Sequence, residues 1–286
     1  MSAGVELLQK RYGVPTFAFP ENAMRAMAAK SRFSEWVRSK IRGYRQFDAD
    51  QDAVDKLFQE EFAAGRPQLI EIRALEALKA YGFPIVPYKL APTADEAVAA
   101  SDEIGYPVVM KIVGPKILHK TDVGGVKLDL RDGPAVRTAY ETMVATVRSR
   151  LGNDVEIWGV LIQKMMDRGK EVILGVTRDK RFGPVLMVGL GGIYTEILKD
   201  VSFRLAPIRE NEADEMIREI RSIKLLQGAR GEAPSDLSAV AECLMRLSQF
   251  VTAHPEIHEL DINPLLVYPR GKGAVVADAR IILSKE

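Results

Sequence analysis

The sequence predicts an α/β chain, α+β in its details, built as two successive lobes. Three observations carry this. Short apolar runs of strand length alternate with longer segments of helical period. Two further β-rich runs and a closing pair of strands form a second group after residue 163, so the elements divide into an earlier and a later set. Apolar residues make up 47% of 286, enough to bury a core of that size.

The elements follow in order. Val14 to Phe19 reads as a strand, and a helix runs from about Glu21 to Trp36 after Pro20. From Lys40 to Arg66 the chain is polar, with Asp48, Asp50, Asp52 and Asp55, and reads as a linker with a helix in its second half. Ile72, Leu75 and Leu78 mark one face of the next helix, which Gly82 and Pro84 stop. Ile85 to Tyr88 is a short strand. Thr93 with Glu96 three residues on is a capping box. Pro107 precedes an apolar strand, Val108 to Val113, and Val126, Leu128 and Leu130 alternate as in a half-buried strand. A helix covers about Pro134 to Arg150, and a strand Ile157 to Gln163. The later set has strands Glu171 to Thr177 and Pro184 to Val188 and a helix near Glu212 to Lys224. Ser235 caps a second helix, with Leu237, Val240, Leu244, Leu247 and Phe250 on one face. Strands Glu259 to Tyr268 and Ala274 to Ile281 close the chain.

Composition excludes several classes. A net charge of +1 argues against a broad electrostatic footprint for nucleic acid or an anionic membrane. The single cysteine, Cys243, rules out an intrachain disulfide and reads as a buried, inert thiol. The first residues lack the apolar core of a signal peptide, and no apolar run reaches membrane-span length. A reducing cytoplasm is the expected setting.

The segment from Lys111 to Lys127 carries the most chemistry. A lysine within an apolar strand is costly unless its ammonium reaches water or an anion. The loop after it holds three glycines, two further lysines and His119. Glycines let backbone N–H groups approach phosphate, and lysines neutralise it. An edge-strand lysine followed by an ordinary hairpin explains the same residues. His119 could hold a phosphoryl group or be a plain surface histidine. His254 and His258 lie four apart, but Pro255 breaks any shared helix face, so a solvated connection is expected rather than a metal site. The run from Gly189 to Glu196 lacks the dinucleotide spacing and fits a tight turn, over phosphate or purely structural. Glu259, Asp261 and Asn263 fall two apart on one strand face, and Asp278 on the next strand could join them. Such hard oxygen donors suit Mg²⁺, although the polar side of an edge hairpin would look the same.

In this order, the lysine strand, the His-Gly-Gly loop, the hinge, the Gly-rich turn and the Asp-x-Asn-Pro word with its final aspartate resemble the ATP-grasp domain of the ADP-forming acyl-CoA synthetases, relatives of succinyl-CoA synthetase. The words are KIVGPKILHKTDVGGVKLDL, EVILGVTRDKRFGPVLMVGLGGIYTEILKDVSFRLAP and ELDINPLLV. The resemblance implies a two-lobed ATP-grasp fold over 69–286, lobes 69–163 and 164–286. Residues 1–40 are then the end of a CoA-ligase domain, and 41–68 the linker. It implies ATP or ADP as substrate and Mg²⁺ as cofactor. His119 would relay phosphate. Lys111, Gln163, Met166 and Glu171 would hold the nucleotide, and Asn263 and Asp278, with Asp261 beside them, the metal. The rest of the CoA-binding machinery would come from a partner subunit or domain. A non-catalytic nucleotide-binding or scaffolding domain is the alternative, against which the presence of His119 speaks.

Overall fold

The computed structural model describes residues 3–38, 43–115, 117, 120–191, 200–228 and 231–284. The chain divides into two compact units, Met1–Arg42 and Gly43–Glu286.

In the first unit α1 spans Ala3–Tyr12 and α2 spans Pro20–Arg38. The strand expected over Val14 to Phe19 is not formed. A strand needs a neighbour for its backbone groups, and the named elements of this unit are both helices. Val14 N–H instead donates to the Leu8 carbonyl at 3.0 Å, closing the end of α1.

In the second unit the stretch read as a linker contains α3, Gln51–Ala63, whose Asp50 cap accepts from Ala53 N–H. Val54, Leu57 and Phe58 on its apolar face are buried, so this helix belongs to the main core. α4, Glu71–Ala80, follows and stops at Tyr81 and Gly82, the latter with φ 71°.

The smaller lobe is a four-stranded antiparallel sheet. Its strands are β1 (Tyr88–Ala91), β2 (Val108–Val113), β3 (Val126–Leu130) and β4 (Gly159–Lys164), in the order β1-β4-β2-β3. The expected capping box of Thr93 and Glu96 opens α5, Ala94–Ile104. Asp132 caps α6, Gly133–Leu151. Val108, Met110 and Ile112 of β2 and Val160 and Ile162 of β4 pack with α5 and α6 in one core. Strand alternation therefore turns Lys111 and Val113, and Leu161 and Gln163 on β4, to the opposite face. In β3 the expected inward set is broken. The register slips opposite Val108 and Met110, Asp129 takes φ 57°, and Leu128 is 63% exposed.

The larger lobe has a six-stranded sheet in the order β10-β8-β5-β6-β7, with β9 paired to β8. Its strands are β5 (Lys170–Asp179), β6 (Gly183–Leu190), β7 (Val201–Leu205), β8 (Ile257–Val267), β9 (Ala274–Val276) and β10 (Ala279–Leu283). β7 had no clear sequence signal. α7, Glu210–Glu219, ends earlier than expected and gives way to a 3₁₀ turn, Arg221–Leu225. α8 spans Leu237–Ala253, and its cap is Asp236, not Ser235: the Asp236 side chain accepts from Ala239 N–H. A small third cluster, Ile72, Val113 and Leu161 with Ile70, Tyr88 and Trp158, joins the two lobes.

Candidate functional site

The site begins with the face on which Lys111 lies. β2 is an inner strand, flanked by β4 and β3, so the edge-strand explanation of Lys111 does not hold. Its side chain is only 12% exposed. Nζ donates to Glu71 Oε1 at 2.6 Å and to Asp278 Oδ2 at 3.0 Å, and lies 3.4 Å from the Ala277 carbonyl. Glu71 opens α4, and Asp278 sits between β9 and β10. The strand lysine of the small lobe is thus clamped by two carboxylates of the large one.

Lys120 adds a second ammonium, 2.9 Å from Glu71 Oε2. Gln163, expected to touch adenine, is buried, with Nε2 3.2 Å from Glu71 Oε1 and 3.4 Å from the Ala277 carbonyl. Burial pushes the Glu71 carboxyl up, but the ammoniums of Lys111 and Lys120 outweigh it and hold the group below the usual carboxylate range. Asp278 goes the other way, raised by burial and by the charge of Glu71. Lys111 is raised: burial opposes its charge, but Glu71 and Asp278 prevail. Glu71 thus takes the ammoniums of both lysines, and Asp278 that of Lys111 alone. A cavity of about 170 Å³ opens beside them, lined by Glu71, Gly114, Pro115, Lys120, Asp278 and Arg280 among others.

The oxygen donors expected for a metal lie on the adjoining strands. Asn263 N–H donates to the Asp278 carbonyl at 3.1 Å, which places the two residues side by side across β8 and β10. Asp261 shares the Asn263 face, pairs in register with Arg280, and is raised by burial, which outweighs Arg280. Gly175 lies opposite Asp261 on β5, and a Cβ there would come 2.9 Å from the tip of Met187. Among the described residues no three acidic, histidine or cysteine side chains form a metal cage. Two carboxylates and one amide oxygen nevertheless suit an ion that keeps waters and takes phosphate oxygens.

His119 lies outside the described residues, as do Lys116 and residues 192–199. The flanks of its loop are described. Gly125 N–H donates to the Lys120 carbonyl at 2.7 Å, and the Gly125 carbonyl accepts from Ile112 N–H at 2.8 Å. A Cβ at Gly125 would overlap the Ile112 side chain, so this glycine is there for close packing. Met166 is half-buried in the connection from β4 to β5, and Glu171 is exposed on β5 with its carbonyl accepting from Gly191 N–H at 2.7 Å. The structure thus gathers Lys111, Gln163 and Asp278 around Glu71, with Asn263 adjacent. Met166 and Glu171 stand on the chain leading into the large sheet, with no hydrogen bond or ion pair to that cluster among the described residues. Glu71 itself was missed, because a glutamate in a helix's first turn reads as an ordinary dipole partner. His254, expected in a solvated connection, is buried instead, enclosed by Phe58, Tyr81 and Phe250.

The sequence pattern of the ATP-grasp domain matches residues 61–283. The chain belongs to the ATP-grasp family. Within it, the relatives are ADP-forming CoA ligases. The chain is 47% identical over 268 residues to 4-hydroxybutyrate–CoA ligase (ADP-forming) of Nitrosopumilus maritimus, covering 94% of this chain and 38% of that enzyme. It is 47% identical over 228 residues to the beta subunit of acetate–CoA ligase (ADP-forming) I of Pyrococcus furiosus, covering 80% of this chain and 97% of the subunit. A solved structure of the dinucleotide-forming acetyl-coenzyme A synthetase 1 of Ca. Korarchaeum cryptofilum, with coenzyme A and Ca-AMPCP, superposes with a TM-score of 0.77 at 44% identity. The match covers 80% of this chain and 99% of that one. Another structure of that protein holds coenzyme A and Mg-AMPPCP, its phosphohistidine segment pointing towards the nucleotide site. The chain therefore groups with the beta subunits of ADP-forming CoA ligases, and it spans about two fifths of the length of the first relatives it matches. A match over 94% of the chain also takes in part of the Met1–Arg42 unit.

Proposed function

We propose that this chain is the nucleotide-handling part of an ADP-forming acyl-CoA ligase, moving phosphate between ATP or ADP and an acyl phosphate by way of His119. The observation that carries this reading is the meeting of Lys111 and Lys120 on Glu71, with Asp278 bound to Lys111, at the cleft between the lobes. Two ammoniums with a carboxylate beside them are what a polyphosphate with its counter-ion needs.

Lys111 and Lys120 would bind and orient the phosphates. Met166 and Glu171 would receive the adenosine end, along the connection between the sheets, and Gln163 would meet the nucleotide beside Glu71. Asp278 and Asn263, with Asp261 beside them, would hold Mg²⁺, which draws charge off the phosphate oxygens when bound. The neutral imidazole of His119, whose ordinary pKa is about 6.5, attacks the terminal phosphorus. An N–P bond forms, the P–O bond to ADP breaks, and ADP leaves with the electron pair. The phosphate then passes to a carboxylate, and coenzyme A displaces it to give the acyl-CoA. Those later steps belong to a CoA-ligase subunit or domain, for which the apolar residues Phe17, Phe19, Met24, Met27 and Phe33 of the first unit are exposed. Among the described residues no helix is long and apolar enough to cross a membrane.

The test is labelling. ATP radiolabelled in its terminal phosphate, given to the chain together with its CoA-ligase partner, should leave label on the chain that is stable to alkali and lost in acid. His119→Ala should carry no label yet still bind Mg-ATP. A variant that keeps full acyl-CoA synthesis would remove the relay from the mechanism.

A further inference from the structure

Glu71 is the residue of this cleft for which no role is assigned. Its side chain is 3% exposed, and it gathers three donors. Lys111 Nζ at 2.6 Å and Gln163 Nε2 at 3.2 Å approach Oε1, and Lys120 Nζ approaches Oε2 at 2.9 Å. All three come from the small lobe, while Glu71 stands at the start of α4, packed on the large one. Stability alone does not account for such an arrangement. Buried ion clusters are commonly no more stabilising than well-packed apolar residues of similar volume.

Position is what the carboxylate does supply. A lysine ammonium is a point charge on a flexible stem, with no fixed direction of its own. Two of them close together repel, and left alone they would swing apart. Bound to the two oxygens of one rigid carboxylate, they are held side by side. The carboxylate also lies behind them. Lys120 is 21% exposed against 3% for Glu71, so an anion entering the cavity from solvent meets the Lys120 ammonium before the Glu71 carboxylate. Gln163 closes the inner side and leaves Glu71 little freedom to turn.

We infer that Glu71 is a positioning residue for polyphosphate, holding Lys111 and Lys120 at the spacing that a nucleotide's phosphates require. The inference rests on the nucleotide reading above, and it deepens that reading. An ammonium fixed before the ligand arrives loses less entropy on binding than one that must be ordered.

The experiment compares binding of Mg-ATP and of adenosine by the parent chain, Glu71→Gln, Lys120→Met and the double variant, each checked for folding by circular dichroism and thermal melting. In Glu71→Gln, Mg-ATP should bind at least tenfold more weakly, while adenosine, which has no phosphate, stays within twofold. In the Lys120→Met background the same Glu71 change should cost a clearly smaller factor. If Glu71→Gln does not fold, Glu71→Asp keeps the charge but withdraws it by one methylene, and should show the same split between the two ligands. Failure of the parent to bind Mg-ATP would remove the nucleotide reading itself. A parent that binds, with a variant that binds equally well or more tightly, would leave that reading intact and overturn the role of Glu71. So would equal weakening of both ligands, or an undiminished factor in the Lys120→Met background.

Discussion

His254 shows how far one residue's surroundings can depart from its sequence context. It caps α8 just before Pro255, a position that suggests water. Folding places its ring in an aromatic box, with Nε2 2.7 Å from the Tyr81 hydroxyl and Nδ1 3.1 Å from Asp55 Oδ1. Burial pushes the imidazole pKa down, and the carboxylates of Asp55 and Glu256 only partly offset this. In the unfolded chain His254 titrates near its ordinary value of about 6.5. Below that pH the unfolded state takes up a proton that the folded state resists. Stability from this group is thus complete above about 6.5 and is lost as pH falls towards the lower folded value. The melting temperature should drop between pH 7 and pH 5, and His254→Gln, which cannot titrate, should drop less. Parallel profiles would show that other groups carry the acid sensitivity. Cys243, by contrast, is as inert as its pattern suggests: it is 2% exposed, with its thiol pushed up to about 12 by burial.

At the scale of elements, the segment from β2 to β3 separates two uses of glycine. Gly114, Gly124 and Gly125 could serve either a loop that moves or close packing. Gly124 does need its backbone freedom, with φ 73°. Gly125 is different. It has an ordinary φ, and a Cβ would press into Ile112 and lie 3.0 Å from the Lys120 carbonyl. Gly125→Ala should therefore destabilise by about 1–3 kcal/mol, the usual range for overpacking, and shift the turn that carries Lys120. Gly43, with nothing within 4 Å of its Cβ position, is the matched control, and Gly43→Ala should stay within about 0.5 kcal/mol. Chemical denaturation of the two variants decides between packing and mobility as the reason for Gly125.

Among the described residues, ion pairs, apolar packing and a cation–π contact join the lobes. The ions join Lys111 and Lys120 to Glu71 and Asp278. Ile72, Val113 and Leu161 pack beside them, and the Arg66 guanidinium lies over the Trp158 ring, 5.4 Å from its centroid. A ligand that bridges the same junction adds its binding energy to the folded state. At a hundredfold excess over Kd this amounts to about 2.7 kcal/mol. The melting transition of the Gly43–Glu286 unit should rise with Mg-ATP and rise less in Asp278→Ala, which lacks a proposed metal ligand. A melting point unmoved by saturating Mg-ATP would count against a nucleotide cleft between the lobes.

Local elements, and the residues available to the chemistry, are legible in the sequence. Period, caps and punctuation located β2, the Thr93 capping box, α6 and the apolar face of α8, because each is decided by residues a few positions apart. Lys111, Asn263 and Asp278 could be singled out by type and spacing in the same way, and Gln163 by the family resemblance alone. Val14 to Phe19 could not be settled locally, since extended residues make a strand only when another strand lies beside them. Nor could the place of α3, whose apolar face of Val54, Leu57 and Phe58 found its core far along the chain. Which charges meet is set by the folded chain. Glu71 and Lys111 are 40 residues apart, and Lys111 and Asp278 are 167 apart. Burial makes that meeting possible, for in water these groups would remain hydrated and scarcely attract one another.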